Sequence, residues 1–202
     1  MIDEILKLRQ LEAEAILNIP MTDTYEEAIK VIHNCVHLNN GKLITSGMGK
    51  AGQIAVNIAT TFSSTGTPSV YLHPSDAQHG DLGVVQKNDA LLLISNSGKT
   101  REIIELIDLA RRLYSDIPII AITSNMESTV ANEAAVVLNT GNPKEVCALG
   151  LSPTTSTTTM TVIGDILVVQ MMKKINFSNR DYSLRHHGGY LGEKSRKNEK
   201  LL

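Results

Sequence analysis

The sequence predicts an α/β protein: a three-layer α/β/α sandwich around a central five-stranded parallel sheet, flavodoxin-like or Rossmann-like, with helices ahead of the first strand. Three observations predict it. Short apolar runs recur at 42–46, 69–72, 90–94, 118–123 and 134–138, separated by glycine or serine turns and stretches of helical periodicity. These runs are continuous in their apolar residues rather than alternating, so both faces of the sheet need cover, which right-handed crossover helices supply. The length of 202 residues, with 42% hydrophobic and 20% charged side chains, suits one globular domain with one core system.

Each element follows from the chain in order. Ile2, Ile5, Leu6, Leu8, Leu11, Ala15 and Ile16 recur at close to helical spacing, and Pro20 ends that helix. Thr22 or Thr24 is placed to cap a second helix carrying Ala28, Ile29, Val31, Ile32, Cys35 and Val36 on one stripe, closed by Asn39-Asn40-Gly41. The first strand, Lys42–Ser46, enters the turn Gly47-Met48-Gly49-Lys50 and a helix reaching Ser63. Strands follow at Ser69–Leu72, at Ala90–Ile94 before Ser95-Asn96-Ser97-Gly98 and a helix, at Pro118–Thr123, and at Ala134–Leu138. Thr154–Ile175 is a long helix whose middle, Val162 to Met172, is apolar on most faces and so belongs in a core or between subunits. The expected organisation is one domain over 1–192 and a polar tail over 193–202, too polar to pack.

Composition removes several functions. Nineteen basic against 21 acidic residues leave none of the basic excess that phosphate-backbone binding needs, so no nucleic-acid partner is expected. No apolar run reaches a membrane span, and the charge-dotted opening lacks a signal-peptide core; a cytoplasmic protein without membrane contact is expected. Aromatic residues make up 3% with no Trp, so a sugar would be held by polar groups rather than by stacking. Cys35 and Cys147 fall in no metal or redox spacing and read as buried small hydrophobes.

In a parallel sheet ligands bind at the carboxyl ends of the strands, which directs attention to the turns after Ser46 and Ile94. Ser95-Asn96-Ser97-Gly98-Lys99-Thr100 puts three hydroxyls, a glycine and free backbone amides at a helix start, an anion cradle that reads as a phosphate site. Capping by Ser97 or Thr100 would account for one hydroxyl but not for three around a glycine. Lys99 opposes the helix dipole there, and serves either an anion or only the solvated surface. Position 93 is Leu where a nucleoside triphosphate loop needs glycine. Gly47, Gly49 and Gly52 have dinucleotide-fingerprint spacing, but Leu72-His73-Pro74-Ser75 stands where the acidic ribose ligand belongs. His79, in His79-Gly80-Asp81-Leu82-Gly83, and the pair His186-His187 sit in glycine-rich stretches able to present an imidazole to solvent, substrate or zinc. Taken singly, Glu102 and Glu145 read as acids on an exposed helix face.

Together these segments resemble the sugar isomerase (SIS) superfamily, and within it the arabinose-5-phosphate isomerases that serve Kdo synthesis. The resemblance rests on GMGKAG at 47–52, TFSSTGTPSVYLHPSDAQHGDLG at 61–83, ISNSGKT at 94–100, KEVCALGLSPTTSTT at 144–158 and the glycine turn with LG at 188–192. It implies interconversion of D-arabinose 5-phosphate and D-ribulose 5-phosphate for lipopolysaccharide or capsule, without cofactor or metal. It further implies a homotetramer whose active sites are built from more than one subunit. Carried over residue by residue, it makes Lys50, His79, Glu102, Glu145 and His186 the catalytic set, Ser95, Ser97 and Thr100 the phosphate site, and Ser46 and Gly49 further substrate positions. His79 would assist ring opening, Glu145 or His186 would move the carbon-bound proton, Lys50 would stabilise the oxyanion and Glu102 would orient a partner or hydroxyl.

Three departures from the family pattern stand out. Lys99 replaces a common acid, His187 replaces the proline of the terminal HPGG turn, and the CBS pair of the longer form does not follow Leu202. Nucleotide regulation through that pair is therefore not expected, although a nucleotide-sugar feedback ligand at a subunit interface remains compatible with the reading. The alternatives are an isomerase of another sugar phosphate, using zinc through His79, His186 or His187, and a non-catalytic phosphosugar-binding module.

Overall fold

The computed structural model describes residues 1–199. Helices α1 (Ile2–Leu17) and α2 (Thr24–Ile32) come first, and α2 runs on as a π-helical turn, His33–Leu38. Strand β1 (Leu43–Gly47) leads into α3 (Gly49–Ser64) and β2 (Ser69–Tyr71); α4 (Pro74–Ala77) and a 3-10 turn at Asp81–Val84 precede β3 (Ala90–Ile94). Then come α5 (Arg101–Leu113), β4 (Ile119–Thr123), α6 (Thr129–Glu133), β5 (Val136–Asn139), α7 (Thr155–Lys174), α8 (Asn179–Arg185) and α9 (Gly189–Glu199). The five strands form one sheet in the order β2-β1-β3-β4-β5, every neighbouring pair parallel. No helix among the described residues is long and apolar enough to cross a membrane.

Every residue of β1, β3 and β4 is buried, because successive side chains enter two different cores. Leu43, Leu92, Ile94, Ile120, Ile122 and Leu138 pack with Ile32, Ile58, Phe62 and Ile163 from α2, α3 and α7. Ile44, Leu91, Leu93, Ile119 and Ala121 pack with Ile103, Leu106 and Ile107 of α5 on the other face. Each such side chain removed from water contributes about 1.5–3 kcal/mol, so the two cores together hold the sheet between its helices. Gly164 lets α7 approach α3, since a Cβ there would stand 2.5 Å from Ile58 Cγ1 and Cδ1.

Some expectations need correction. Asp23, not a threonine, precedes α2 and makes no side-chain cap; Thr22 and Thr24 bond to each other instead, 2.8 Å apart. Where composition suggested an unpacked tail from 193, the chain is helical through Glu199, and Ser195 is buried and donates to Asn179 O at 2.6 Å. The remainder of that stretch, 200–202, lies outside the described residues. Of the two cysteines only Cys35 is buried.

Candidate active site

The strand order reverses direction between β1 and β3, so the loops after these two strands part and leave a crevice at the carboxyl edge of the sheet. A cavity of about 630 Å³ opens there, walled by Met48 and Lys50 after β1, Ser95, Asn96, Ser97 and Thr100 after β3, and Glu145, Ser156 and Thr157 around the start of α7. The structure thus gathers five of the sequence-identified residues, Lys50, Ser95, Ser97, Thr100 and Glu145, on one cavity wall.

The turn after β3 is built from its own polar groups. Ser95 is buried and its Oγ lies 2.8 Å from Thr100 Oγ1, while also accepting from the Gly98 amide at 3.1 Å. Ser97 Oγ accepts from the Lys99 amide at 3.2 Å. Gly98 has φ +62, and its place is filled from behind by Ser128 of the β4–α6 loop. Asn96 O receives the Ser124 amide at 3.0 Å and the Ser124 hydroxyl at 2.7 Å, fixing the turn to β4. Although Thr100 stands at the N-cap of α5, its side chain makes no cap bond; its carbonyl accepts from the Ile103 and Ile104 amides at 3.1 Å each, and the Arg101 and Glu102 amides stand at the positive end of the helix dipole. Asn96 Oδ1 is buried on the cavity wall without a hydrogen-bond partner, and sequence reasoning passed over it because an amide inside a serine turn reads as turn chemistry.

Lys50 is the second residue of α3 and is exposed. A cation in a first helical turn opposes the dipole, so its position adds nothing to the stability of the helix. Glu145 lies not on a helix face but in the irregular segment between β5 and α7, and is half-buried. Its Oε2 accepts from the Thr154 amide at 2.7 Å, the Thr154 hydroxyl at 2.9 Å and the Ser156 amide at 3.3 Å. Burial pushes the Glu145 carboxyl up, but the Ser156 hydroxyl with the Thr154 amide and hydroxyl outweighs it and holds the group below the usual carboxylate value. Two residues further on, the Cys147 thiol is lowered by the Ser152 and Leu151 amides, which approach Sγ at 3.2 and 3.3 Å.

The other sequence-identified residues lie outside this cavity wall. His79 is exposed between α4 and the 3-10 turn, its amide donating to Asp76 O at 2.8 Å. Glu102 is half-buried in the first turn of α5. His186 closes α8, stacked on Tyr182 with ring centroids 3.7 Å apart and Nδ1 3.0 Å from Tyr182 O. Ser46 is buried and donates to Leu72 O at 2.6 Å, tying β1 to the chain after β2, and Gly49 sits in the open with φ +57 beside Lys50. Among the described residues no group of three His, Cys, Asp or Glu is placed to hold a metal ion.

A parallel α/β sandwich with a hydroxyl-rich, lysine-flanked cavity at its switch point defines the class. Residues 38–170 match the SIS domain, and the chain belongs to that family. It is 42% identical over 195 residues to the arabinose 5-phosphate isomerase KdsD of Francisella tularensis, covering 96% of this chain and 59% of that protein. Among solved structures, a candidate phosphosugar isomerase involved in capsule formation from Bacteroides fragilis superposes with TM-score 0.93 at 64% identity, over 94% of this chain and 99% of the other. A sugar-phosphate complex of protein c3406 from E. coli CFT073 superposes with TM-score 0.85 at 33% identity, over 92% and 96%. The chain thus spans about three-fifths of the length of the KdsD relative and nearly all of the two solved chains.

Proposed function

We propose that the chain is an aldose–ketose isomerase interconverting D-arabinose 5-phosphate and D-ribulose 5-phosphate through an enediol(ate), supplying Kdo synthesis for lipopolysaccharide or capsule. The observation that carries the reading is the meeting of Ser95, Ser97 and Thr100 with Lys50 and Glu145 around one cavity. The phosphate sits at the start of α5, on the turn's hydroxyls and the uncapped amides. The opened sugar then reaches across the cavity toward Lys50 and Glu145. A base takes the proton from C2, the C1 carbonyl oxygen takes up the negative charge, and the carbon-bound proton returns to C1 while the C2 hydroxyl proton passes to the C1 oxygen, leaving the carbonyl at C2. Glu145, ionised at neutral pH and anchored by one oxygen, suits the base, and Lys50 suits the developing oxyanion.

His79, Glu102 and His186 complete this set from other copies of the chain in a homotetramer. The exposed apolar residues of α1, Ile2, Ile5, Leu6 and Leu8 among them, support such an assembly, since α1 buries no residue within its own chain. The fit of the serine turn to a phosphoester supports a sugar phosphate as substrate, and a nucleotide-sugar product binding between subunits is a compatible feedback ligand. The test is an isomerase assay on arabinose 5-phosphate beside ribose 5-phosphate, glucose 6-phosphate and sedoheptulose 7-phosphate, with and without EDTA, repeated on Glu145→Gln. Selective, EDTA-resistant turnover is expected, reduced by roughly a hundredfold or more in the variant. Turnover of another sugar phosphate alone would replace the substrate, and no turnover of any would replace catalysis by phosphosugar binding.

A further inference from the structure

Glu12 lies on α1, 143 residues from the start of α7, yet its Oε1 accepts from the Thr155 hydroxyl at 2.8 Å. Thr155 is buried, and its oxygen also accepts from the Val146 amide at 3.2 Å. The residue before Val146 is Glu145, and the residues on either side of Thr155 are the ones whose amides hold the Glu145 carboxylate. One hydroxyl therefore joins α1 to both sides of the Glu145 clamp. We infer that Glu12 is a positioning residue for Glu145, fixing the Thr155 hydroxyl that pins the segment behind the candidate base.

The chemistry favours this over a plain packing role. The other oxygen of Glu12, Oε2, is buried with no hydrogen-bond partner, and a carboxylate oxygen taken out of water without a donor opposes folding. A bond made at that cost, on a helix that buries no residue of its own, fits a role in placing groups better than one in stability. Directionality also matters. A threonine hydroxyl carries one proton; once it is donated to Glu12, the oxygen lone pairs face the Val146 amide, so the carboxylate sets the hydroxyl's orientation. The glutamine amide oxygen can accept the same proton, whereas alanine leaves the hydroxyl free to rotate away.

The inference rests on Glu145 acting in the isomerisation proposed above, and the experiment separates the two. Glu12→Ala, Glu12→Gln, Thr155→Val and the Glu12→Ala/Thr155→Val pair are compared in steady-state isomerisation and in hydrogen–deuterium exchange of peptides covering 144–156. In Glu12→Ala, kcat is expected to fall about tenfold with KM within about twofold, as for a displaced catalytic group, while Glu12→Gln stays within about twofold of the parent. Thr155→Val is expected to match Glu12→Ala, and the pair to lose no more than either alone, because both break one linkage. Exchange at Val146 should quicken in Glu12→Ala and Thr155→Val but not in Glu12→Gln. An unchanged kcat in Glu12→Ala, a loss carried by KM, or a Glu12→Gln as impaired as the alanine variant would overturn the inference. Were Glu12→Ala not to fold, the glutamine and Thr155→Val variants decide the same question. If the parent turned over no sugar phosphate, the functional reading would fall, and unchanged exchange across 144–156 would remove the positional role with it.

Discussion

Gly98 is the position where backbone geometry and the candidate phosphate turn are most tightly coupled. Its φ of +62 lies in the left-handed region, and a Cβ built there overlaps Ser128 Cβ and Oγ, with Thr123 Oγ1 a further neighbour at 3.1 Å. Gly98→Ala therefore carries two costs: about 1–2 kcal/mol for a side chain in left-handed backbone, and about 1–3 kcal/mol for overpacking against a residue fixed at a helix cap. The sum, roughly 2–5 kcal/mol, is a large part of a typical domain's stability and corresponds to a fall in Tm of roughly 5–15 °C at this chain length. Differential scanning fluorimetry measures it directly. Ser128→Gly tests the cause, because it removes both overlapping atoms. That change forfeits the Ser128 cap on Ala131 N and the bond to Asn125 O, worth together roughly 1–2 kcal/mol. The double variant is then expected to be more stable than additivity allows by about the 1–3 kcal/mol of relieved overlap. Substrate KM should rise in Gly98→Ala and recover only in part in the double variant, since the strained φ remains. A Gly98→Ala protein melting within about 2 °C of the parent, or strict additivity with Ser128→Gly, would refute the close-packed turn.

Three more outcomes follow from other parts of the fold. Gly164→Ala pushes into the flexible end of Ile58 and is expected to cost about 1–2 kcal/mol, with Ile58→Val restoring part of it in a thermal melt. Burial, with His33 stacked beside it, lowers the His37 imidazole below its ordinary value, so the unfolded chain binds the proton more readily; stability is full above pH 6.5 and declines as the pH falls below it, and the decline should be shallower in His37→Gln. Cys147 should be alkylated by iodoacetamide well before Cys35, because backbone amides favour its thiolate whereas burial pushes the Cys35 thiol up; peptide mass spectrometry of timed quenches would show the order.

The strands were legible to the residue or nearly so. Ala90–Ile94 matches the observed β3, and the other four differ by a residue or two at one or both ends, because short apolar runs bounded by turn residues mark a strand even where, as in β2 and β5, it is only partly buried. Short elements were not legible. Four-residue α4, five-residue α6 and the 3-10 turn at Asp81–Val84 are too brief for helical periodicity to register, and they exist because the flanking strands dictate where the chain must turn. The extension of α2 into a π-helical turn hides for a related reason: Cys35 and Val36 are buried as the stripe requires, while the widened turn leaves the pattern of residue types unaltered. In the site, the serine turn was readable from its own sequence, since the hydroxyls of Ser95, Ser97 and Thr100 find partners no more than five residues away.

Glu145 shows the opposite case. Nothing in its local sequence sets it apart from a solvated acid, and what does so is the pair Thr154 and Ser156 at the start of α7, nine and eleven positions later, together with a hydroxyl held from α1. Such a site is assembled from segments distant in the chain, so spacing carries no trace of it, and only a comparison of whole motifs raises it. The same reasoning bears on His79, Glu102 and His186. Their motif company is as dense as that of Lys50 and Ser95, yet they stand off the cavity wall of their own chain. A motif records which residues serve one site, but it does not record which copy of the chain supplies them. Mixed oligomers of Glu145→Gln and His186→Ala subunits measure that directly: if sites form across subunits, inactive parents combined in one assembly regain activity, in a proportion set by how many interfaces pair one intact Glu145 with one intact His186. Sites confined to single chains would leave every mixture inactive.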